Sequence, residues 1–166
     1  MVSTLTKYKG IYNDIKQGLY DTLVDNFNNS EIRMDVYKAP FQNIHGFPAI
    51  TIETVARTKE TKGMGVSVYN VDYYVWVYTD VMDSLEAEEQ CLEYARMTEE
   101  FLLTNKSLGG VCSSLSLDHD ELQFGVIEQG ENNFLQGARI PVRVTSGLIS
   151  DKRTCGDDSG GDCSCG

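Results

Sequence analysis

Val66-Ser67-Val68-Tyr69-Asn70-Val71-Asp72-Tyr73-Tyr74-Val75-Trp76-Val77-Tyr78 decides the fold. Apart from Ser67, Asn70 and Asp72, every residue is valine or aromatic, the side chains that fit a pleated surface best. The stretch therefore reads as one long strand. Alternation sends Tyr73, Val75 and Val77 to one face and Tyr74, Trp76 and Tyr78 to the other. Both faces are apolar, so both need cover. Helices are expected over one face, and a neighbouring subunit over the other, because the chain has too few helices for both.

Working upstream, residues 49–57 form a partner strand through Ile50 and Ile52, with a bulge before Val55. Residues 58–65 read as a turn with a flexible tip, so 49–78 is a long hairpin whose end stands away from the core. Residues 31–38 alternate Ile32, Met34 and Val36 against Arg33, Asp35 and Tyr37, a half-buried strand. The loop at 39–48 is punctuated by Pro40 and Pro48. Over residues 8–27, Ile11, Ile15, Leu19, Leu23 and Phe27 fall four apart, and Tyr12, Tyr20 and Val24 widen the stripe of an amphipathic helix. Downstream, Asp83 with Glu86 opens a second helix in a capping-box pattern. Its expected inner side is Leu85, Cys91, Leu92, Ala95, Thr98, Phe101 and Leu102. Residues 105–110 end it at Gly109-Gly110, and strands follow at 111–117, 122–128 and 137–145. Pro141 has no N–H to donate, which places the last of these at an edge or beside a bulge. Pattern fades beyond Gly147.

The order α-β-β-β-α-β-β, with room for one more strand, defines an α+β fold: a mainly antiparallel sheet flanked by two helices. One domain spans 1–148, and 149–166 is a flexible Gly/Asp/Cys-rich tail.

Composition narrows the function. The 166 residues are 41% hydrophobic and 23% charged, which excludes a disordered chain, a collagen and a disulfide-dense miniprotein. Lys plus Arg number 14 against 25 Asp plus Glu, a net charge of −11. Such a chain does not bind nucleic acid by neutralising phosphates, and acidic membranes are disfavoured likewise. No apolar run approaches bilayer length and residues 1–10 hold no signal-peptide core, so synthesis in the cytoplasm is expected. Cys155, Cys163 and Cys165 lack paired CxxC spacing and a nearby histidine. A polar tail is the first reading of that segment; a metal site or an intersubunit disulfide is the alternative.

Catalytic patterns are missing. His45 reads as a loop residue, and His119 sits in an acidic turn with Asp118, Asp120 and Glu121 whose spacing does not fit a calcium loop. Leu108-Gly109-Gly110 joins a helix to a strand, the wrong order for a phosphate cradle. No catalytic residue, cofactor or metal site is expected, and the chain does not read as an enzyme. Two charged features remain. Glu86, Glu89, Glu93 and Glu100, with Glu88 and Glu99, form an acidic helix face, either a solvated side or a wall facing something negative. At the hairpin tip Arg57, Lys59 and Lys62 oppose Glu60 alone, net +2 (3 − 1) beside Met64. Such an arm docks onto an acidic body of the next copy in head-to-tail fashion; the plainer reading is a turn whose lysines blunt edge pairing.

The layout resembles a family. Residues 47–53 (Phe-Pro-Ala-Ile-Thr-Ile-Glu) lead into the long hairpin, whose Tyr/Val-rich strand ends Tyr78-Thr79-Asp80. An acidic helix, Asn105-Lys106-Ser107-Leu108-Gly109-Gly110 and Arg139-Ile140-Pro141-Val142-Arg143-Val144 follow. Over residues 8–148 these look like the tail terminator proteins of tailed bacteriophages. The resemblance implies a structural virion protein without catalytic residues: a hexameric ring at the tail–neck junction that caps the tail tube and ends its polymerisation. It implies tail tube protein and neck connector as partners, tail sheath too in a contractile tail, and DNA passing an acidic lumen without specific binding. Subunit and tube contacts are expected at Arg57, Lys59, Lys62, Met64, Tyr74, Trp76 and Tyr78. A head-completion or neck connector protein is the nearest alternative, and a small metal- or thiol-dependent enzyme the more distant one. The Cys-rich tail departs from the family's pattern.

Overall fold

Apolar residues at every fourth position build the first helix, α1 (Ile11–Asn28), and bury Ile15, Leu19, Leu23 and Phe27 completely. The computed structural model describes residues 10–40, 44, 46–79, 83–128 and 134–150, with the backbone alone at Glu128 and Phe134. After α1 come β1 (Asp35–Tyr37), β2 (Ala49–Gly63), β3 (Val66–Tyr78), α2 (Ser84–Thr104), β4 (Ser114–Ser116), β5 (Gln123–Glu128), β6 (Phe134–Thr145) and β7 (Ile149–Ser150). The fold is α+β, with two helices and one mixed seven-stranded sheet in the order β1-β2-β3-β6-β4; β5 also pairs with β6, and β7 with β3.

The core lies between the helices and one sheet face. Val71, Tyr73, Val75 and Val77 of β3 stand beside Val144, Val142, Ile140 and Ala138 of β6 in antiparallel register. Ile50 and Ile52 extend this layer, and α1 and α2 close it from above. Each fully buried aliphatic side chain contributes roughly 1.5–3 kcal/mol. Phe27 meets Phe101 edge to face at 4.9 Å, joining the helices. Tyr12, expected in the inner stripe, is 43% exposed and stacks instead on Tyr69, with centroids 6.1 Å apart.

Several expectations are corrected. The inner side of α2 is Ala87, Cys91, Tyr94, Ala95, Thr98 and Leu102, whereas Leu85 and Leu92 are 66% and 47% exposed. The stripe 87-91-95-98-102 keeps the 3.6-residue period, and counting from Leu85 sets it on the wrong side. Asp83 does cap the helix, its Oδ1 accepting from the N–H groups of Leu85 and Glu86 at 3.1 Å each. β1 is shorter than expected and runs parallel to β2, with Val36 opposite Ile50. The stretch between them is long enough to carry the chain back to its starting end, which a tight turn is not. β4 is three residues long, and the sheet gains β7 beyond Gly147, pairing Ile149 with Ser67 and Ser150 with Val66.

Pro141 lies inside the sheet, not on an edge strand. It stands opposite Tyr74 of β3. On the other side of β6, β4 reaches Arg143 and β5 reaches Arg139, leaving 140–142 without a strand neighbour. Ser113 N–H donates to Thr145 O on that outer side, and the two-residue repeat turns Pro141 the same way. Its missing N–H therefore falls in a gap where no acceptor waits.

After α2 the chain turns through three successive residues with positive φ: Leu108 (50°), Gly109 (74°) and Gly110 (92°). Leu108 is buried at 3% exposure. A Cβ at Gly18 of α1 would lie 3.2 Å from Leu108 Cβ, so the glycine makes room for the leucine.

Candidate assembly surface

Beyond Ile52, β2 leaves the core. Every residue from 54 to 63 is exposed, although the segment pairs with β3 to its end. Its sequence, Thr-Val-Ala-Arg-Thr-Lys-Glu-Thr-Lys-Gly, carries little to bury, so solvent costs it nothing. The expected bulge is present: register passes from Thr54↔Tyr73 to Ala56↔Asp72, leaving Val55 unpaired. Gly65, at φ 72°, makes the turn, and Met64 at the tip is 100% exposed.

The charges on this arm divide between its faces. Arg57 lies opposite Val71 and Lys59 opposite Tyr69, so both side chains stand on the helix side of the sheet. The Arg57 guanidinium covers the Tyr69 ring at 4.8 Å. Lys62 forms an ion pair with Glu60, which holds the Glu60 carboxyl below its usual range. The net +2 seen in sequence thus divides into a Glu60–Lys62 ion pair, and Arg57 and Lys59 on the helix side of the sheet.

The sheet face away from the helices carries Asp72, Tyr74, Trp76 and Tyr78, opposite Arg143, Pro141, Arg139 and Gly137. Arg143 grips Asp72 through both nitrogens, Nε to Oδ1 at 2.7 Å and Nη2 to Oδ2 at 2.9 Å, and this bonding raises the Arg143 pKa. His119 Nε2 stands 3.9 Å from the same carboxylate. The Arg139 guanidinium lies 4.3 Å over Tyr74 and 5.9 Å from Trp76. Trp76 stacks on Tyr78 with planes 3° apart and donates its Nε1–H to Glu53 Oε2 at 2.7 Å. Phe47 meets Tyr78 edge-on.

Part of this ribbon is covered within the chain itself. Tyr78, expected at an interface, is 2% exposed within its own chain, and burial pushes its hydroxyl up to about 12. Tyr74 and Trp76 are half-buried. The Arg139 guanidinium over Tyr74 and Trp76 supplies part of that cover. Its signal was the alternation Arg139-Pro141-Arg143, but only the β3–β6 register reveals what it covers.

Glu86, Glu89, Glu93 and Glu100 are all exposed on α2, with Glu88, and form the expected acidic face; Glu99 is half-buried and Arg96 interrupts it. Cys91 and Cys112 are buried free thiols. Burial pushes Cys91 up to about 11 and raises Cys112, which keeps both protonated and poorly nucleophilic. His45, Cys155, Cys163 and Cys165 lie outside the described residues. Among the described residues, no group of three metal-ligating side chains converges, and no helix is long and apolar enough to cross a membrane. A scan against protein-family models gives no match, and a search of curated proteins gives none.

Proposed function

We propose that this chain is a structural subunit of a closed ring that caps the tail tube of a tailed bacteriophage, ends its polymerisation and joins it to the head-side neck. The observation that carries the reading is the arm: ten consecutive exposed residues, 54–63, that continue β2 as a strand paired with β3. The β2 side of this limb is exposed throughout, while Ser67 and Val68 on its β3 side are buried. Arg57 and Lys59 on it are exposed cations on the helix side of the sheet, in a chain of net charge −11, and opposite charge steers one copy onto the next. Heterologous contacts of this kind close into rings. A predominantly acidic wall lets DNA pass without counterion-release binding.

The test reverses both cations, Arg57→Glu with Lys59→Glu, in the full chain. Wild-type protein is expected to form rings by mass measurement in the presence of tube, and to yield tails of uniform length by electron microscopy. The double variant is expected to stay unassembled and leave tubes overlong. Normal rings and capped tails in the variant would overturn the reading.

A further inference from the structure

We infer that the outer edge of β5 and the cleft beside it form a docking site for an extended acidic segment of a partner chain. The site does not rest on the ring reading, since it lies on different strands from the arm.

Three observations converge. First, β5 pairs only with β6 among the described residues, so its other edge is open. Gln136 O accepts from Thr79 N–H on the β3 side, which turns Arg139, Gly137 and Leu135 toward β5. Their partners Gln123, Gly125 and Ile127 therefore bond inward, while the backbone groups of Phe124 and Val126 point outward. The side chains of Phe124 and Val126 are 43% and 66% exposed. Over 123–127 this edge carries no lysine, proline or bulge, the devices that normally block strand addition.

Second, a cleft of about 390 Å³ lies alongside, lined by Trp76, Gln123, Gly125, Ile127, Gly137 and Arg139 among others. A Cβ at Gly125 would meet nothing within 4 Å, so this glycine leaves a notch in the strand. A side chain from an added strand can enter there.

Third, Arg139 at this cleft is under-partnered. Its Nη2 donates to Gln123 Oε1 at 2.6 Å, but Nε is buried without an acceptor. No carboxylate forms an ion pair with it among the described residues, in a chain with 25 acids and 14 bases. A carboxylate is the partner a guanidinium binds most strongly. The occupant that fits is a strand with carboxylates on alternate residues facing Arg139 and apolar side chains between them facing Phe124 and Val126. Backbone bonds supply affinity and the alternate side chains selectivity.

The probe is a synthetic peptide alternating glutamate and valine, with a lysine–valine peptide of equal length as control. Trp76, the chain's single tryptophan, reports on the cleft by fluorescence, and amide exchange reports on the edge. The acidic peptide is expected to shift Trp76 emission and to slow exchange at Phe124 and Val126. Arg139→Gln should weaken binding about tenfold, as for loss of one charge-assisted contact. Val126→Pro removes one outward N–H without touching the inward ladder, and should abolish binding. Equal binding of the lysine peptide, unchanged exchange at both amides, or wild-type binding by both variants would overturn the proposal. So would a change in oligomeric mass of the Val126→Pro protein without peptide, because the edge would then belong to contacts between copies. Failure of the arm variant under the ring test leaves this result untouched, and the reverse holds.

Discussion

Arg139 is the side chain on which the cover of the outer sheet face turns, and Arg139→Ala measures that cover. Its guanidinium lies 4.3 Å from the Tyr74 ring centre and 5.9 Å from that of Trp76. At half-buried sites such contacts are worth about 1 kcal/mol together. Truncation also strips side-chain methylenes of the half-buried Arg139, about 0.8 kcal/mol for each one fully buried. Removing the unsatisfied Nε returns part of this, roughly 1 kcal/mol. The net expectation is a loss of about 1–2 kcal/mol. Urea unfolding followed by Trp76 emission reads the loss directly, and iodide quenching should rise because the indole is uncovered. Arg139→Lys keeps the charge and most of the stem but not the planar stacking, so it should fall between. An unfolding midpoint and a quenching constant both equal to wild type would refute the claim that Arg139 seals this face.

Three further outcomes follow from the packing. Burial raises Cys91 from its ordinary 9.0 to about 11 and Tyr78 from 10.0 to about 12; the unfolded chain releases these protons first, so stability is full below pH 9.0 and falls as pH climbs toward 12. Urea midpoints across that window check it, Cys91→Ala should flatten the lower part of the fall, and a midpoint flat to about pH 11 would contradict it. A Cβ at Gly137 would lie 2.3 Å from Ile127 Cδ1 and 3.1 Å from Val77 O, so Gly137→Ala should cost about 1–3 kcal/mol. Ile127→Ala in the same chain should recover part of that cost, a coupling that a double-mutant cycle of unfolding energies detects. On α2, Leu102→Ala should cost about 2–5 kcal/mol and Leu85→Ala under about 0.5 kcal/mol by thermal unfolding, because the first is buried and the second 66% exposed.

Local periodicity carried much of this fold. α1, the paired β2 and β3, the Val55 bulge and the Asp83 cap all express themselves within a few residues, where sterics and hydrogen bonding act. What escaped is set by distant partners. Leu85 and Leu92 are as apolar as Leu102, and only the position of β6 beneath α2 decides which leucine goes inside. The direction of β1 depends on its pairing with β2, across eleven intervening residues. Pro141 is tolerated inside the sheet because β4 and β5 happen to stop on either side of it. The long hairpin was legible, and so was the acidic face of α2, but residues 58–63, expected as a turn, continue β2 as strand to Gly63. The Arg139 cover over Tyr74 and Trp76 was not, since those residues are far apart in the chain and meet only through strand register.

Leu108 holds a backbone conformation that costs an L-residue about 1–2 kcal/mol, and it does so with its side chain buried against Gly18. Neither position is free to vary alone. Even a methyl at 18 would crowd Leu108 Cβ at 3.2 Å and press it to shift by a few tenths of an ångström, while glycine at 108 would relieve the backbone and empty the space. Related sequences should therefore change these two sites in step, a larger residue at one accompanying a smaller one at the other. That coupling ties the middle of the first helix to the turn that follows the second, two sites ninety positions apart (108 − 18).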